Sequence, residues 1–562
     1  MKKILSTILS TILLCSTLSG CSFLGGGDSS SSSFTPSAPL AEIIPIVYDT
    51  DEIVTADKTE AGDVDTWQAQ VFTSKGGGSC ERRPNSVIHS PWHTLKINGE
   101  DVPVYSARGP RGTHSWAWVD VASNKNNFSL QVELTMDQAY GTCVVLPLKE
   151  GVEVRQKDTL YEAEITEYGS FTFTFAEEKD AEYTDPEIAP LTIMVTEEEE
   201  FEIPDGYNVV KIEPGFYEEY DLILSEENTV YEMEAGVYDI SEIVLPSNTN
   251  LHIKHGAYIK GRGIQHEDGS FNGLSLLGTK DTFNVHVKSR GLFDCGMMYG
   301  NPTKHKAAVD FTRTEDSSVD GLTIINSNNW TMNFHSSESM RVERNLLIGY
   351  RENSDGIMMS ECKNSVGRYN FVRTGDDGIE FKGTGWGGSR EGRDCIYDYN
   401  AVWTDKCTGY GIVWENACPM KNMIFRHNSV GFALPTWQAG MPAIDIRLGV
   451  NGDTRWGDVA FEDIEIYHVV APNVITVRVN GDGVNTFGAV CENILFKDIT
   501  VRTVERGVFL FRMEYNGYGS IKNIQLENVN FCGLQISEEH KSNSTIFKNL
   551  AGNVFNKELT IK

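Results

Sequence analysis

The chain has 562 residues, a hydrophobic content of 40% and a formal net charge of −31. This length and apolar content predict two folded units with sizeable cores and argue against disorder over most of the chain. The negative charge argues against a nucleic-acid partner, which needs a basic surface, and weighs mildly against a polyanionic substrate.

Residues 1–20 are typical of a signal peptide. Lys2 and Lys3 precede an apolar run, residues 4–18, that is too short to span a bilayer as a stable helix. The run ends in Leu-Ser-Gly-Cys, which resembles a bacterial lipoprotein processing box and implies a lipid on Cys21. An ordinary secretion signal is the alternative. We expect a protein on the bacterial cell surface, where it contacts the membrane through this lipid anchor alone.

A flexible linker and a β-rich domain are predicted next. Residues 21–40 are rich in Gly and Ser, as linkers are. Over residues 41–200, short strands alternate with turn signals, such as Asn98-Gly99 after an apolar run. No long helical pattern occurs in this region, so we predict an N-terminal β-sandwich.

Residues 201–562 show short apolar-x-apolar triplets separated by Asn, Asp, Gly and Ser. Val319 and Val342 are 23 residues apart, and Val342 and Val366 are 24 apart. A strand-and-turn repeat of this length predicts the coils of a parallel β-helix, since the Leu and Asn frame of leucine-rich repeats is missing. Each coil rises by about 4.8 Å. The predicted fold class is therefore all-β, with residues one coil apart stacked in space.

Three aspartates stand out at nearly one-coil spacing. Asp355 lies in Asn-Ser-Asp-Gly, and Asp376 and Asp377 follow in Gly-Asp-Asp-Gly, so that Asp355 and Asp376 are 21 positions apart. We predict that these carboxylates meet on adjacent coils. Inverting glycoside hydrolysis needs one carboxylic acid and one carboxylate about 6.5–9.5 Å apart. The neighbouring charges of Asp376 and Asp377 raise the pKa of one of them, which keeps a proton available.

Other interpretations of acidic and sulfur-containing residues remain open. Asp-Gly pairs are common in turns, and clustered aspartates also bind calcium. No Cys/His spacing suggests zinc, so we expect neither a metal nor a cofactor. Four cysteines are predicted to be buried structural thiols, namely Cys362, Cys395, Cys407 and Cys418.

The aspartate motifs resemble those of polygalacturonases, glycoside hydrolase family 28, and Asn-Trp-Thr-Met at 329–332 is similar to the segment that precedes them. Family 49, the dextranases and isopullulanases, shares the fold and three equivalent aspartates and carries an N-terminal β-sandwich. The resemblance covers about residues 240–530. It implies a right-handed parallel β-helix, a general acid at Asp376, and a water molecule held and activated by Asp355 and Asp377.

The chain departs from family 28 at two places. Gly-Tyr-Gly around Tyr410 stands where the family has Gly-His-Gly, and Arg-Leu-Gly beginning at Arg447 stands where it has Arg-x-Lys. In the family that Lys meets the substrate carboxylate. Its absence favours a neutral, glucan-like or galactan-like polymer. Tyr410 and Arg447 are candidates for substrate binding, with a scaffold role as the alternative.

Aromatic side chains after the aspartates are further candidates, because the apolar C–H faces of sugars pack on aromatic rings. Trp386 lies among glycines and is the best platform candidate. Lys382, five residues after Asp377, is a candidate for the same cleft, and a solvated surface lysine is the alternative. The aromatic candidates are Trp386, Tyr410, Trp414, Trp437 and Trp456.

The sequence therefore predicts an inverting glycoside hydrolase of a neutral glucan-like polysaccharide. A polygalacturonase-like pectin hydrolase is the alternative substrate class. A non-catalytic surface polysaccharide-binding protein or adhesin is the alternative of another kind. No nucleophile elbow or phosphate-binding glycine loop occurs, and a lyase is disfavoured by the missing Lys.

Overall fold

The computed structural model describes most of the chain. The described residues are 36–55, 70–73, 79–82, 86–148, 152–264, 266–267, 275–298, 307–388, 391–434, 441–449, 454–479 and 488–562. The predicted signal, Cys21 and most of the linker lie outside these ranges, as does Trp437. The described residues from Pro36 onward belong to one compact unit. Among them, no helix is long and apolar enough to cross a membrane.

Two mostly antiparallel sheets form the N-terminal part. The larger sheet has the strands Ile43–Pro45, Val54–Thr55, Ile88–His89, Tyr105–Arg108, Thr113–Val121, Thr142–Leu146, Gly169–Ala176 and Leu191–Glu197. The smaller sheet has the strands His93–Ile97, Glu100–Val102, Leu130–Met136, Arg155–Lys157 and Leu160–Ile165. A separate antiparallel pair consists of Gln70–Thr73 and Ser79–Arg82.

The sandwich core follows from the alternation of side chains along the strands. Every second residue of Leu130–Met136 is buried, as expected for a strand with one face on a core. Val132 and Leu134 of the smaller sheet share one apolar cluster with Phe171 and Phe173 of the larger sheet. The two sheets therefore pack face to face, as a β-sandwich does.

The hairpin predicted at Asn98-Gly99 is present. It joins His93–Ile97 to Glu100–Val102 in antiparallel register. Asn98 and Gly99 have φ angles of 52° and 82°. Both are left-handed, as a two-residue type I′ hairpin turn requires, so this prediction is confirmed.

The rest of the chain is a solenoid whose coils contribute to three parallel sheets. Sheet A contains Asn208–Ile212, Thr229–Met233, Thr249–Ile253, Val285–Ser289, Ser318–Asp320, Arg341–Glu343, Val366–Arg368, Gly392–Asp398, Met420–Arg426, Arg455–Val469, Val490–Val504, Ser520–Glu527 and Leu559–Ile561. Sheet B contains Gly215–Phe216, Gly236–Ile240, Ala257–Gly261, Leu292–Asp294, Thr323–Ile325, Leu346–Ile348, Phe371–Thr374, Ala401–Thr404, Ser429–Ala433 and Asn530–Phe531, which also pairs with Leu534–Gln535. Sheet C contains Ile243–Val244, Leu277–Phe283, Val309–Glu315, Met332–His335, Ile357–Ser360, Ile379–Lys382, Tyr410–Ile412, Ile444–Leu448, Asn473–Val479, Phe509–Tyr515 and Phe547–Leu550.

The chain visits the sheets in the order A, B, C, and the long strand Arg455–Val469 pairs with strands of both A and B. Near the C-terminus lie a 3₁₀ helix, Glu538–Ser542, and an α-helix, Asn553–Glu558. The predicted fold class, an all-β right-handed parallel β-helix preceded by a β-sandwich, is confirmed.

The coil register agrees with the sequence repeat at one step and differs by one residue at the next. Val319 pairs with Val342, as the 23-residue spacing predicts. Val342 then pairs with Gly367 and not with Val366. A Cβ at Gly367 would lie 2.6 Å from the ring of Tyr397. The Tyr397 ring fills the interior space that Gly367 leaves, so the inward position carries no apolar side chain for the pattern to show.

Buried asparagines stack where sheet A turns into sheet B. The side-chain amide of Asn345 donates to Asn370 Oδ1 (2.9 Å), Asn370 donates to Asn400 Oδ1 (2.8 Å), and Asn400 donates to Asn428 Oδ1 (3.1 Å). The backbone N–H groups of the first three donate to the same oxygens. This ladder pairs polar groups that the turns would otherwise leave buried and unsatisfied.

The sandwich packs against the outer side of sheet B. Trp116 of the sandwich shares an apolar cluster with Phe371 and Trp403 of the solenoid. Two buried ion pairs lie beside this cluster: Asp120–Arg290, at 3.0 Å across the two parts, and Arg373–Asp405, at 2.8 Å within the solenoid. The Arg373 guanidinium also lies 3.1 Å from His114 Nδ1 in the sandwich.

Candidate active site

The outer face of sheet C carries the predicted catalytic region. Along its strands, Ile357 and Ile379 point into the solenoid core, so their neighbours Met358 and Glu380 face outward. In register they continue to Gly411 on the next coil. These outward positions form one row beside the aspartates, and Glu380 is its charged member.

Each aspartate lies just before a strand of sheet C. The Gly356 N–H donates to Asp377 O (2.8 Å), and Ile357 pairs with Ile379, so the coil step here is 22 residues. Asp377 is thus the coil equivalent of Asp355, and Asp376 lies one residue earlier. The 21-residue spacing from Asp355 to Asp376 is therefore one residue short of the coil step, and the three aspartates lie on adjacent coils as predicted.

The glycines of the two motifs allow adjacent coils to approach each other. A Cβ on Gly356 would clash with the Gly378 carbonyl oxygen, and a Cβ on Gly375 would clash with the Arg351 carbonyl oxygen. The glycine after the first aspartate and the glycine before the pair are therefore required by the close packing of adjacent coils.

The structure brings the three aspartates together with two residues that sequence analysis did not assign to the site. Carboxylate oxygens of Asp355, Asp377 and Glu380 lie within 4.8 Å of one another. Oxygens of Asp376 and Asp377 and the sulfur of Cys407 also lie within 4.8 Å of one another. These oxygens are closer than the predicted separation of about 6.5–9.5 Å between an acid and a base.

Hydrogen bonds hold two of the aspartates in place. Asp376 accepts from the backbone N–H groups of Asn353 (3.2 Å) and Asp377 (3.0 Å). Asp377 accepts from the Thr408 N–H at 2.9 Å. Asp376 is partly exposed, whereas Asp355 and Asp377 are 4% and 3% exposed. Asp376 therefore offers the most accessible carboxylate of the three to a substrate.

Burial is the main cause of the altered acidity of the site. It raises the pKa of Asp355 to about 7, with Lys382 opposing and Asp376 adding to the rise. Burial also raises the pKa of Asp377 well above its usual value, with Asp376 and Asp355 as the next causes. The neighbouring charge that the sequence suggested is therefore a secondary cause. The cluster retains protons at neutral pH, and they are shared among its members.

Lys382 reaches the cleft but is not a solvated lysine. Its Nζ lies 2.8 Å from Glu415, 3.1 Å from Glu380 and 3.3 Å from Asp355. Burial lowers its pKa, but Glu380 and the other carboxylates outweigh this effect and hold the pKa well above its usual value. The alternative of a solvated surface lysine is wrong, the ammonium neutralises carboxylates of the protein itself, and a contact of Lys382 with substrate stays a prediction.

Tyr410 and Trp456 lie in the solenoid core. Both side chains are fully buried, and the Tyr410 hydroxyl lies within hydrogen-bond distance of the carbonyls of Asn400 (2.8 Å) and Ser429 (3.1 Å). Tyr410 pairs with Ile379, whose side chain also points inward. The expectation that Tyr410 binds substrate was wrong, since inward positions of this sheet do not face the cleft.

Arg447 and Trp414 are neighbours on the cleft side of the solenoid. The Arg447 guanidinium carbon lies 4.6 Å above the Trp414 ring, and its Nε lies 3.7 Å from Asp445. Burial lowers the pKa of Arg447, and the charges of Asp445 and Asp377 act in the opposite direction. Arg447 is therefore close enough to Asp377 to contribute to the electrostatics of the aspartates.

Trp386 is the most exposed aromatic candidate, with 53% of its surface accessible. It stacks on Trp330 with ring centroids 5.5 Å apart and an angle of 10°. Trp330 in turn lies 5.2 Å from the Lys382 ammonium. Glu361 accepts a hydrogen bond from the Gly385 N–H at 2.6 Å and thereby anchors the loop. The aromatic pair thus borders the carboxylate cluster.

Several contributing residues were missed by sequence analysis. Glu380 could have been found, because Ile-Glu-Phe-Lys at 379–382 alternates and places it on the same face as Lys382. Glu415 carries no comparable signal. The four cysteines predicted to be buried are buried free thiols, as expected. The position of Cys407 beside Asp376 and Asp377 depends on coil length, which the sequence does not define.

Comparison with known proteins agrees with this arrangement. Residues 292–385, which include all three aspartates, match the model of glycosyl hydrolases family 28. The chain is therefore a glycoside hydrolase, and over this segment it is similar to family 28. No curated protein matches this hydrolase by sequence.

Among solved structures, the hydrolase is similar to Dex49A from Penicillium minioluteum. The TM-score is 0.62 at 12% identity, over 94% of this chain and 100% of the other. An exopolygalacturonase from Thermotoga maritima has a TM-score of 0.43 at 17% identity, over 55% of this chain and 85% of the other. An endo-xylogalacturonan hydrolase from Aspergillus tubingensis has a TM-score of 0.43 at 12% identity, over 63% of this chain and 95% of the other. The first similarity supports the two-part fold of the hydrolase.

Proposed function

We propose that the hydrolase cleaves a neutral, glucan-like polysaccharide with inversion at the anomeric carbon. The observation that supports a neutral substrate is the state of Lys382, the cation among the aspartates, whose ammonium contacts three protein carboxylates. A uronate substrate needs a cation to balance its charge, and this ammonium is already outnumbered by carboxylates of the protein. Arg447 lies further out and shares Asp445 with Arg478.

The proposed roles follow from exposure and protonation. Asp376, the most exposed of the three, delivers a proton held by the cluster to the leaving glycosidic oxygen. Asp355 and Asp377 hold and activate the attacking water. Trp386 offers an apolar face for a sugar ring next to this centre.

Inversion is proposed on the similarity of the three-aspartate motifs to the family, because the spacing alone does not favour it. The oxygens of Asp376 and Asp377 lie within 4.8 Å, nearer to the separation of about 5–5.5 Å that retaining enzymes use. Retaining enzymes, however, use two carboxylates, whereas three carboxylates and Glu380 meet here. A third carboxylate supplies a second acceptor for a water molecule.

A substrate panel tests the neutral specificity. Dextran, pullulan, a galactan and polygalacturonate are incubated with the wild type and with Asp376→Asn, and new reducing ends are measured. We expect release from at least one neutral polymer and more than a 10³-fold loss in the variant, which still binds the polymer. Release from polygalacturonate alone would instead establish the pectin alternative. Binding without release from any polymer would contradict the proposed reaction.

We further propose that Cys21 anchors the hydrolase to the outer face of the bacterial membrane. The Leu-Ser-Gly-Cys sequence supports this location, and the linker over 21–40 gives the folded part distance from the membrane. The test is metabolic labelling with a fatty acid followed by cell fractionation. Cys21→Ser should lose the label and leave the membrane fraction, and a labelled variant would contradict the anchor.

A further inference from the structure

Glu380 is a fourth carboxyl group that the three-aspartate mechanism does not use. It lies on the strand Ile379–Lys382, faces outward from the solenoid, and is fully buried. Its neighbours on adjacent coils are Met358 and Gly411. Neither can donate a side-chain hydrogen bond to it, so its polar contacts are with Lys382 on its own strand and with the aspartate cluster.

The charges around Glu380 do not balance if every carboxyl group is ionised. Carboxylate oxygens of Asp355, Asp377 and Glu380 lie within 4.8 Å of one another, and all three residues are buried. One ammonium, Lys382, contacts two of them, at 3.3 Å for Asp355 and 3.1 Å for Glu380. The same ammonium also contacts Glu415, with 2.8 Å between Lys382 Nζ and the Glu415 carboxylate. Like charges this close and this buried cannot all persist, so the group retains at least one proton.

Hydrogen bonding favours Glu380 as a holder of a proton. Asp377 accepts the Thr408 N–H at 2.9 Å, which favours its ionised form. The Lys382 ammonium lies 3.1 Å from Glu380 but directs its hydrogen bonds to Asp355 and Glu415, and within the described residues neither oxygen of Glu380 accepts a hydrogen bond. Burial is the largest cause that raises the pKa of Glu380 well above its usual value, and Asp355 and Asp377 raise it further against Lys382. Carboxylate oxygens of Glu380 and Asp355 lie within 4.8 Å of each other, so a proton on Glu380 has an acceptor nearby.

We propose that Glu380 is a positioning residue, which remains protonated through the reaction and donates a hydrogen bond to Asp355. This inference rests on the proposed function, in which Asp355 is a base. During hydrolysis the water oxygen bonds to the anomeric carbon as the glycosidic bond breaks. One water proton passes to Asp355, and the leaving oxygen receives one proton from Asp376. Glu380 keeps its own proton throughout, so that the charge on Asp355 is available to the water.

The charged groups that face Glu380 define what a variant changes. They are Asp355 and Asp377 on the preceding turns, Lys382 on its own strand, and Glu415 on the following coil, with Asp376 and Arg447 further out. Glu380→Gln keeps a hydrogen-bond donor but cannot ionise. Glu380→Leu removes the donor and keeps a similar volume. Glu527→Gln, on sheet A and away from the site, is the matched control.

The test is the pH profile of kcat/KM on whichever polysaccharide the wild type cleaves. We expect Glu380→Gln to leave the acid limb within about 0.3 pH units of the wild type, because an amide replaces a neutral acid. Glu380→Leu should move the acid limb upward by about one unit and lower kcat more than KM, because Asp355 loses a donor to its ionised form.

Two outcomes would overturn the inference. A downward shift of the acid limb in Glu380→Gln would mean that Glu380 is ionised in the wild type. An unchanged limb in Glu380→Leu would mean that Glu380 only packs. Infrared difference spectra of wild type and Glu380→Gln give a readout without substrate, and a protonated carboxyl band at pH 7 must be missing from the variant. The spectra distinguish a failure of this inference from a failure of the proposed reaction.

Discussion

Burial, more than sequence adjacency, makes the three aspartates chemically different. Asp355 and Asp377 are almost fully buried, and Asp376 is not. The motifs were sufficient to identify all three residues and to predict that they meet. The degree of burial depends on loops from other coils, and the sequence contains no local signal for it. The sequence likewise does not predict the environment of Lys382. Its ammonium contacts Asp355 on the preceding coil, Glu380 on the same strand and Glu415 on the following coil.

Asp355→Asn should change how stability depends on pH. The pKa of Asp355 is about 7 in the folded protein and about 3.9 in an unfolded chain, so between these values the folded state binds more protons. The free energy of unfolding of the wild type therefore falls as pH rises through this range. The variant lacks this pH-dependent loss. Between pH 5 and pH 8, its free energy of unfolding should therefore rise by about 2–3 kcal/mol relative to that of the wild type.

Urea unfolding of both proteins at pH 5 and pH 8 measures this difference. Glu527→Gln, which replaces a carboxylate far from the cluster, serves as the control and should show no such pH-dependent gain. An equal stability difference between Asp355→Asn and wild type at both pH values would show that Asp355 is ionised normally in the folded protein.

Trp386→Ala should weaken substrate binding without affecting the fold. The ring is half exposed and contacts Trp330, so its removal leaves no buried cavity. A contact between aromatic rings contributes about 0.5–1.5 kcal/mol beyond the burial of apolar area, and we expect a ring that packs on a sugar to contribute a similar amount to binding. KM should therefore rise about 3- to 10-fold, with an unchanged melting temperature. Tyr399→Ala removes an exposed ring at the corner of sheets A and B and is the control. Equal KM values for the two variants would remove Trp386 from the substrate site.

At the level of elements, the repeat predicted the solenoid better than it predicted the register. The paired strands confirm the step from Val319 to Val342. The next step fails because Gly367 occupies an inward position and Tyr397 from the following coil fills it. A spacing rule based on apolar side chains cannot detect an inward glycine. The motif alignment was a separate source of error, since it suggested that Tyr410 lies in the cleft, although strand alternation places it in the core.

The asparagine ladder makes a second prediction at this scale. Asn370 accepts from Asn345 and donates to Asn400 and to the Val342 carbonyl. Asn370→Ala leaves these buried groups unpaired. Each buried group without a hydrogen bond destabilises the folded state by about 1–3 kcal/mol. We expect a loss of about 2–4 kcal/mol in urea unfolding. Asn523→Ala, at an exposed position of the strand Ser520–Glu527, should cost far less, and equal losses for both variants would contradict a stabilising ladder.

At the scale of the whole molecule, the sandwich and the solenoid are joined by a buried interface. Trp116, Phe371 and Trp403 share one apolar cluster, and the Asp120–Arg290 ion pair crosses between the two parts. Composition and length predicted two folded units. Their contact was not predictable, because it joins residues 170 positions apart in the chain with no motif to mark them.

Because this interface is buried, the two parts should unfold together. Asp120→Asn removes one partner of a buried ion pair, and the charge of Arg290 loses its balance. Removing one partner of such a pair costs about 3–5 kcal/mol. Calorimetry should show one transition for the wild type and one transition at lower temperature for the variant. Two separate transitions in the wild type would show that the interface does not couple the two parts.

If the aspartates clustered on sheet C hydrolyse a glycosidic bond by a single displacement with water, the anomeric configuration must invert. Proton NMR of the first sugar released, recorded before mutarotation, measures this configuration. We expect a product whose anomeric configuration is opposite to that of the bond cleaved, and no product from Asp376→Asn. A product with the original configuration would rule out a single displacement, since retention requires a covalent intermediate on one of these carboxylates.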